Sequence, residues 1–229
     1  MDKLPVLEKL LCPAKGIIFD FDGLLARSEK YHYLSYRQVF ARYGHALDEK
    51  EYYKYWTSLG LGAKGEIKRH WLDLDPEKIK EEKKTIFSRY CEDGSITFYD
   101  EARDMVRLFV GGSKQLAIAS GSSTSDIRAV LRRAGMDGVF QAIVGNDVAP
   151  KLKPAPDPFL TAAELIGVSP PECLVLEDAE KGMFAAIEAK IPVVIILSQE
   201  TKGFDFSLAD LVFDSLGEFV SCLKKMKIE

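Results

Sequence analysis

The chain has 229 residues, 47% hydrophobic and 29% charged, enough to bury a core and too apolar for a disordered tail. That length leaves one large domain or two small ones open. Its net charge of −4 argues against a dedicated nucleic-acid binder, whose footprint would be basic.

In chain order, Glu8 and Lys9 interrupt the leucines before Lys15, which spoils the apolar stretch of a signal peptide. Gly16–Phe19 is a short apolar run that predicts a strand buried on both faces. No strand pattern follows between Glu29 and Cys91. Helical segments are expected instead at Lys30–Tyr43, Glu49–Thr57, Gly65–Trp71 and Pro76–Cys91. The charge run Glu77–Lys84 reads as a solvated helix face. Gly60, Gly62 and Gly65 read as an internal loop.

Beyond this block, apolar runs at Leu116–Ala119, Ala142–Val144, Cys173–Leu176 and Val193–Leu197 predict further strands. Helical patterns at Thr124–Ala134 and Ala179–Lys190 alternate with them, Gly135 serving as a stop for the first. Alternating strands and helices indicate an α/β domain with a parallel sheet. The longest apolar run, Ile191–Leu197, is far short of the roughly 20 residues of a membrane helix. Cys12, Cys91, Cys173 and Cys222 are widely spaced, which fits reduced thiols rather than a zinc site or a disulfide framework. A cytoplasmic, soluble protein is expected, with no nucleic-acid or membrane partner.

In such a sheet, ligands bind beyond the carboxyl ends of the strands. Those ends carry Asp20-Phe21-Asp22-Gly23, Ser120-Gly121-Ser122 and Glu177-Asp178, while Lys153 lies on the proline-rich stretch Lys151–Pro158. Each has an ordinary explanation by itself, as a helix cap, a turn or a surface lysine. Gathered at one sheet edge, however, the acids would repel unless a cation neutralised them, and an oxygen-ligated Mg²⁺ fits. A serine hydroxyl, glycine amides and a lysine beside it make a site for a phosphate dianion.

Together these residues resemble the four motifs of the haloacid dehalogenase superfamily, in order and over nearly the whole chain. Asp20-Phe21-Asp22-Gly23-Leu24-Leu25 is similar to the first motif and Ser120 to the second. Lys153 is similar to the third, and Glu177-Asp178 with Lys181-Gly182 to the fourth. The wording is closest to subfamily IA, the phosphatase and β-phosphoglucomutase-like branch. The resemblance implies a Rossmann-like parallel-sheet core, residues 1–29 and 96–229, interrupted by an all-helical cap at 30–95. It implies Asp20 as nucleophile, forming an aspartyl-phosphate, and Asp22 as general acid and then base. Phe21, Ser120, Gly121 and Lys153 would bind phosphate, and Asp20, Asp22 through its carbonyl, Glu177 and Asp178 would hold Mg²⁺.

Substrate choice falls to the cap, where His32 and Lys64 are candidate contacts and Gly60–Glu66 a candidate specificity loop. Eight of the nine tyrosines, both tryptophans and all three histidines lie between Tyr31 and Tyr90, and they are expected to form the cap's own core. The chain departs from the family pattern in places. Arg27 stands for an aspartate, Lys190 for a helix-closing glycine, and Ser123 for the phosphate-binding lysine of sugar phosphomutases. The expected function is therefore a Mg²⁺-dependent phosphatase of a small phosphorylated metabolite, such as a sugar phosphate. A β-phosphoglucomutase-like phosphohexomutase and a non-enzymatic phospho-acceptor signalling module are the alternatives. The oligomeric state stays open, a monomer being compatible.

Overall fold

The computed structural model describes residues 2–58 and 61–226. In chain order, α1 (Leu4–Leu11) leads into β1 (Gly16–Phe19). A helical run follows: α2 (Glu29–Arg42), α3 (Glu49–Tyr52), a π-helical turn at Tyr53–Ser58, α4 (Gly62–Arg69) and α5 (Pro76–Asp93). Strands and helices then alternate through α6 (Asp100–Val110), β2 (Gln115–Ala119), α7 (Thr124–Ala134), β3 (Ala142–Val144) and α8 (Asp157–Leu165). The chain ends with β4 (Cys173–Glu177), α9 (Glu180–Glu188), β5 (Val193–Ile196), β6 (Leu211–Phe213) and α10 (Leu216–Leu223). The chain divides into two compact units, one running up to Arg27 and again from Thr97, the other Ser28–Ile96.

The first unit is a six-stranded sheet in the order β3-β2-β1-β4-β5-β6, and every pairing is parallel. This is the expected α/β fold class. Strand β1 is buried throughout because it has neighbours on both sides and helices above and below. The chain moves outward from β1 to β3 and then crosses back to β4, so strand order reverses between β1 and β4. Two carboxyl ends meet there beside a natural crevice. The core behind it includes Ile18, Ala117, Val175, Phe159, Met183 and Val193. Helix α7 shows why its boundaries were legible: Ser123 Oγ accepts from the Asp126 amide, and Gly135 ends the helix at φ +66°. Strand β6, three residues at the sheet edge of which two are only partly buried, is not among the predicted strands.

In the helical unit, Tyr33, Val39, Phe40, Tyr52, Trp56, Ile79 and Ile86 form a core of its own. Most of the aromatic cluster thus packs inward, although Trp71 is 91% exposed. The glycine-marked loop is corrected by the structure. Gly62 and Gly65 lie in α4, while Gly60 lies outside the described residues. Gly62 opens the helix at φ +56°, which glycine accepts without strain. Gly65 costs about 1 kcal/mol, which the packing of the inner face outweighs, with Ala63 buried and Glu66 buried and paired. Gly65 also leaves room for the Leu61 side chain, which a Cβ would strike. Lys83 is a second departure, because it leaves the solvated face of α5 and lies 3.9 Å from the centre of the Phe87 ring. Among the described residues, no helix is long and apolar enough to cross a membrane.

Candidate active site

The residues at the carboxyl ends of β1, β2 and β4 converge within the first unit. Asp20 directly follows β1, its amide bonded to the Leu176 carbonyl of β4 at 2.9 Å. Its carboxylate is buried and receives the Lys153 ammonium at 2.6 Å. The same ammonium donates to Glu177 Oε1 at 2.7 Å and sits 4.5 Å from the Phe159 ring centre. Only 4% of the Lys153 side chain is exposed, whereas Lys151 points into solvent. The Lys153–Pro154 peptide is cis.

Glu177 is saturated. While Oε1 holds Lys153, Oε2 accepts from the amides of Asp178 at 2.7 Å and Ala179 at 2.8 Å. The carboxylate therefore sits at the start of α9, where unpaired amides and the helix dipole favour negative charge. It occupies the space that a side chain on residue 182 would need, which accounts for Gly182. Gly23 is required twice over. Its φ is +83°, and a Cβ there would strike the Asp178 carboxylate.

Asp22 is fixed from β2. The hydroxyls of Ser120 and Ser122 donate to its Oδ2 at 2.9 Å and 2.7 Å, and the Ser122 amide donates to Ser120 Oγ at 3.0 Å. Ser122 was not singled out from the sequence. Its spacing from Ser120 repeats the one-residue skip between Asp20 and Asp22, and that was the available signal. The loop after β3 was missed as well. Asn146 donates to the Gly121 carbonyl at 2.7 Å, and Asp147 accepts from both the amide and the hydroxyl of Thr124. These bonds brace the backbone that carries Ser120 and Gly121. The Phe21 carbonyl accepts from the amides of Leu25 and Ala26, closing the turn of the first motif.

Burial is the largest influence on Asp20. With the negative charges of Glu177 and Asp22 added, and against the pull of Lys153, it pushes the carboxyl up to about 8. For Lys153, burial works against the charge, but Asp20 and Glu177 outweigh it and hold the ammonium above the ordinary lysine range. The pocket is thus an acid cluster short of positive charge. Asp20, Glu177 and Asp178 place carboxylate oxygens within 4.8 Å of one another, all on buried residues. An all-oxygen donor set of this charge suits a hard divalent cation. Both Glu177 oxygens and Asp20 Oδ1 already accept hydrogen bonds.

A profile of the haloacid dehalogenase-like hydrolases matches residues 14–190, spanning every element just described. The chain belongs to that family. As a family hydrolase it is an enzyme, which removes the reading as a non-catalytic signalling module. Among its relatives, the protein CbbY of Rhodobacter capsulatus is 32% identical over 212 residues, 86% of this chain and 91% of its own length. The fructose-1-phosphate phosphatase YqaB of Escherichia coli is 31% identical over 186 residues, 78% of this chain and 94% of its own length. Among solved structures, CbbY of Rhodobacter sphaeroides in complex with phosphate superposes with a TM-score of 0.78 at 26% identity. That match covers 92% of this hydrolase and 99% of CbbY. A mutant of the same CbbY bound to xylulose-(1,5)bisphosphate gives 0.76 at 26% identity, covering 90% and 96%.

His32 and Lys64 belong to the hydrolase's helical unit. His32 stacks on Phe87 with ring centres 4.1 Å apart, and its Nδ1 lies 2.7 Å from Lys83 Nζ. Lysine has only donors, so Nδ1 accepts and the imidazole proton resides on Nε2. Lys64 is exposed on α4. Of the departures from the family pattern, Arg27 covers the Tyr99 ring at 4.2 Å and Ser123 caps α7.

Proposed function

We propose that this enzyme hydrolyses a small phosphomonoester of the sugar-phosphate type, with Mg²⁺, through an aspartyl-phosphate on Asp20. The observation that carries this reading is the joint placement of Asp20 against Lys153 and of Asp22 between two serine hydroxyls. One carboxylate is aligned with a cation suited to a phosphoryl oxygen, and a second is oriented by two hydroxyls that donate to its Oδ2.

In this reading an Asp20 oxygen attacks phosphorus and the bond to the ester oxygen breaks. Asp22 gives its proton to the departing alkoxide, then takes one from the water that attacks the phosphoaspartate, releasing inorganic phosphate and restoring Asp20. Lys153, Ser120 and the amides around Phe21 and Gly121 share the charge of the transferring oxygens. Glu177 keeps Lys153 in place. Asp20, the carbonyl of Asp22 and Asp178 would hold Mg²⁺, with Glu177 beside them. Bound there, the ion offsets the repulsion between the carboxylates and a phosphate dianion.

The sugar-phosphate class is supported by relatives named for fructose 1-phosphate and solved with xylulose bisphosphate. The helical unit, inserted directly after the first motif, serves as the substrate-selecting cap. Ser123, neutral and occupied in capping α7, offers no charge for the second phosphate that a mutase must hold.

A phosphate-release assay over sugar phosphates, nucleotides and phosphoglycolate tests the reading. Turnover is expected with Mg²⁺, is lost in chelator, and is abolished by Asp20→Asn. Bisphosphate-stimulated interconversion of a hexose 1-phosphate without stoichiometric phosphate release would replace hydrolysis by the mutase reaction. A folded protein inactive on every substrate would overturn both.

A further inference from the structure

A second cluster of metal-ligating side chains lies in the helical unit, and the hydrolysis described above makes no use of it. His45 follows α2, Glu66 lies in α4, and His70 is the residue that caps the C-terminal end of α4, its amide bonded to the Glu66 carbonyl. Glu66 is a charged residue only 1% exposed. Its Oε2 is occupied, accepting from the Arg69 guanidinium at 3.0 Å and the Trp56 indole at 3.4 Å. Arg69 is itself fixed by Glu51 at 2.8 Å. Oε1 instead faces two imidazoles, His45 Nε2 at 2.8 Å and His70 Nε2 at 3.3 Å.

We propose that His45 Nε2, Glu66 Oε1 and His70 Nε2 form a site for a borderline divalent transition metal, Zn²⁺ being the best fit. Two imidazoles and one carboxylate are the donor chemistry that zinc accepts, whereas Mg²⁺ prefers oxygen alone. The three ligand atoms lie within 4.8 Å of one another. With zinc–ligand bonds of about 2.0–2.1 Å, the edge of a tetrahedron is about 3.3 Å. The His70–Glu66 separation already has that length, and the His45–Glu66 pair needs to open by about 0.5 Å. Arg69 and Trp56 supply the outer hydrogen bonds that hold a ligating carboxylate in one orientation. The half-buried His45, its side chain 12% exposed, forms the floor, and His70, 36% exposed, forms the mouth through which an ion and its water enter.

The charges agree. With neutral imidazoles, Glu66, Glu51 and Arg69 leave one net negative charge for a divalent cation to offset. The consequence is structural, because an ion there would tie the segment after α2 to α4 across a stretch built from short elements. The α3 helix has four residues and the following π-turn six.

The test uses the full-length enzyme, stripped of metal and held in excess Mg²⁺, titrated calorimetrically with Zn²⁺ and followed by thermal unfolding. One equivalent is expected to bind and to raise the unfolding midpoint. His70→Ala and His45→Ala should each weaken binding by about tenfold or more. In chelator, the midpoint of His70→Ala should stay near the parent value. Asp178→Asn, altered only among the active-site acids, should bind Zn²⁺ as tightly as the parent. If His45→Ala does not fold, the outward-facing His70→Ala carries the test. No binding in the presence of Mg²⁺, or equal affinity in His70→Ala, would reduce the cluster to a hydrogen-bonded knot and overturn the site.

Discussion

Asp20 sits in a pocket that disfavours its own charge, and the consequence is measurable as stability. Its carboxyl is raised from 3.8 to about 8, burial being the leading cause. Between those values the folded chain keeps a proton that the unfolded chain has already lost. In metal-free protein this residue's contribution to stability therefore falls as pH rises from about 4 to about 8, then levels. Asparagine resembles the neutral acid and still offers Lys153 an oxygen. Asp20→Asn should gain on the parent enzyme across that window, by on the order of a few kcal/mol at its upper end. Urea unfolding in chelator at stepped pH checks it, and parallel curves for the two proteins would refute it. Ser122 provides a second prediction at this scale. Removing its hydroxyl takes away one of the two serine donors to Asp22, so Ser122→Ala should lower kcat/KM roughly tenfold, the value of one charged hydrogen bond. An unchanged kcat/KM would deny Ser122 a part in aligning Asp22.

Among the elements, α9 carries a visible cost. Lys190, just beyond its end, stands at φ +58° in the left-handed region, where a glycine closes the same helix in the family pattern. A side chain there costs about 1 kcal/mol. Lys190→Gly is accordingly expected to stabilise the enzyme by roughly that amount, read from the denaturation midpoint at unchanged m-value. Destabilisation would mean that the lysine makes a compensating contact. At the same scale, elements announced by local chemistry were the predictable ones. Ser123 and Gly135 bracket α7 by hydrogen bonding and handedness, so both ends were readable. Glycine misled at Gly65, which lies inside α4 because a helix propensity near 1 kcal/mol yields to the packing of that helix's inner face.

In the whole molecule, the insertion of Ser28–Ile96 has a geometric basis in the first unit. The Arg27 amide donates to the Thr97 carbonyl at 2.8 Å, and Ala26 pairs with Phe98 as an antiparallel bridge. The two breakpoints are therefore adjacent, and a short Gly/Ser linker can join them without stretching the core. A chain carrying such a linker in place of 28–96 is expected to unfold cooperatively and to retain Mg²⁺ binding. It should also lose discrimination among phosphate esters, which phosphate-release assays on the same substrate set would read. A linked chain that does not fold would show that the sheet depends on the inserted helices.

The sequence alone determined the α/β class, the interruption after the first strand and the roster of polar strand ends. Each depends on local periodicity, or on residue types that chemistry restricts to few tasks. Only the tertiary structure decided the partners. It joined Glu177 to both Lys153 and the amides opening α9, brought Ser122 to Asp22, and turned three residues of the aromatic-rich helices into a candidate metal site. The Glu177 bonds to the next two amides and the Glu66–His70 pair are local. The bonds of Lys153 to Asp20 and of Ser122 to Asp22, however, span 133 and 100 positions, and nothing local in the chain encodes them. They arise because parallel strands distant in sequence place their carboxyl ends side by side, and because a buried charge left without partners is costly.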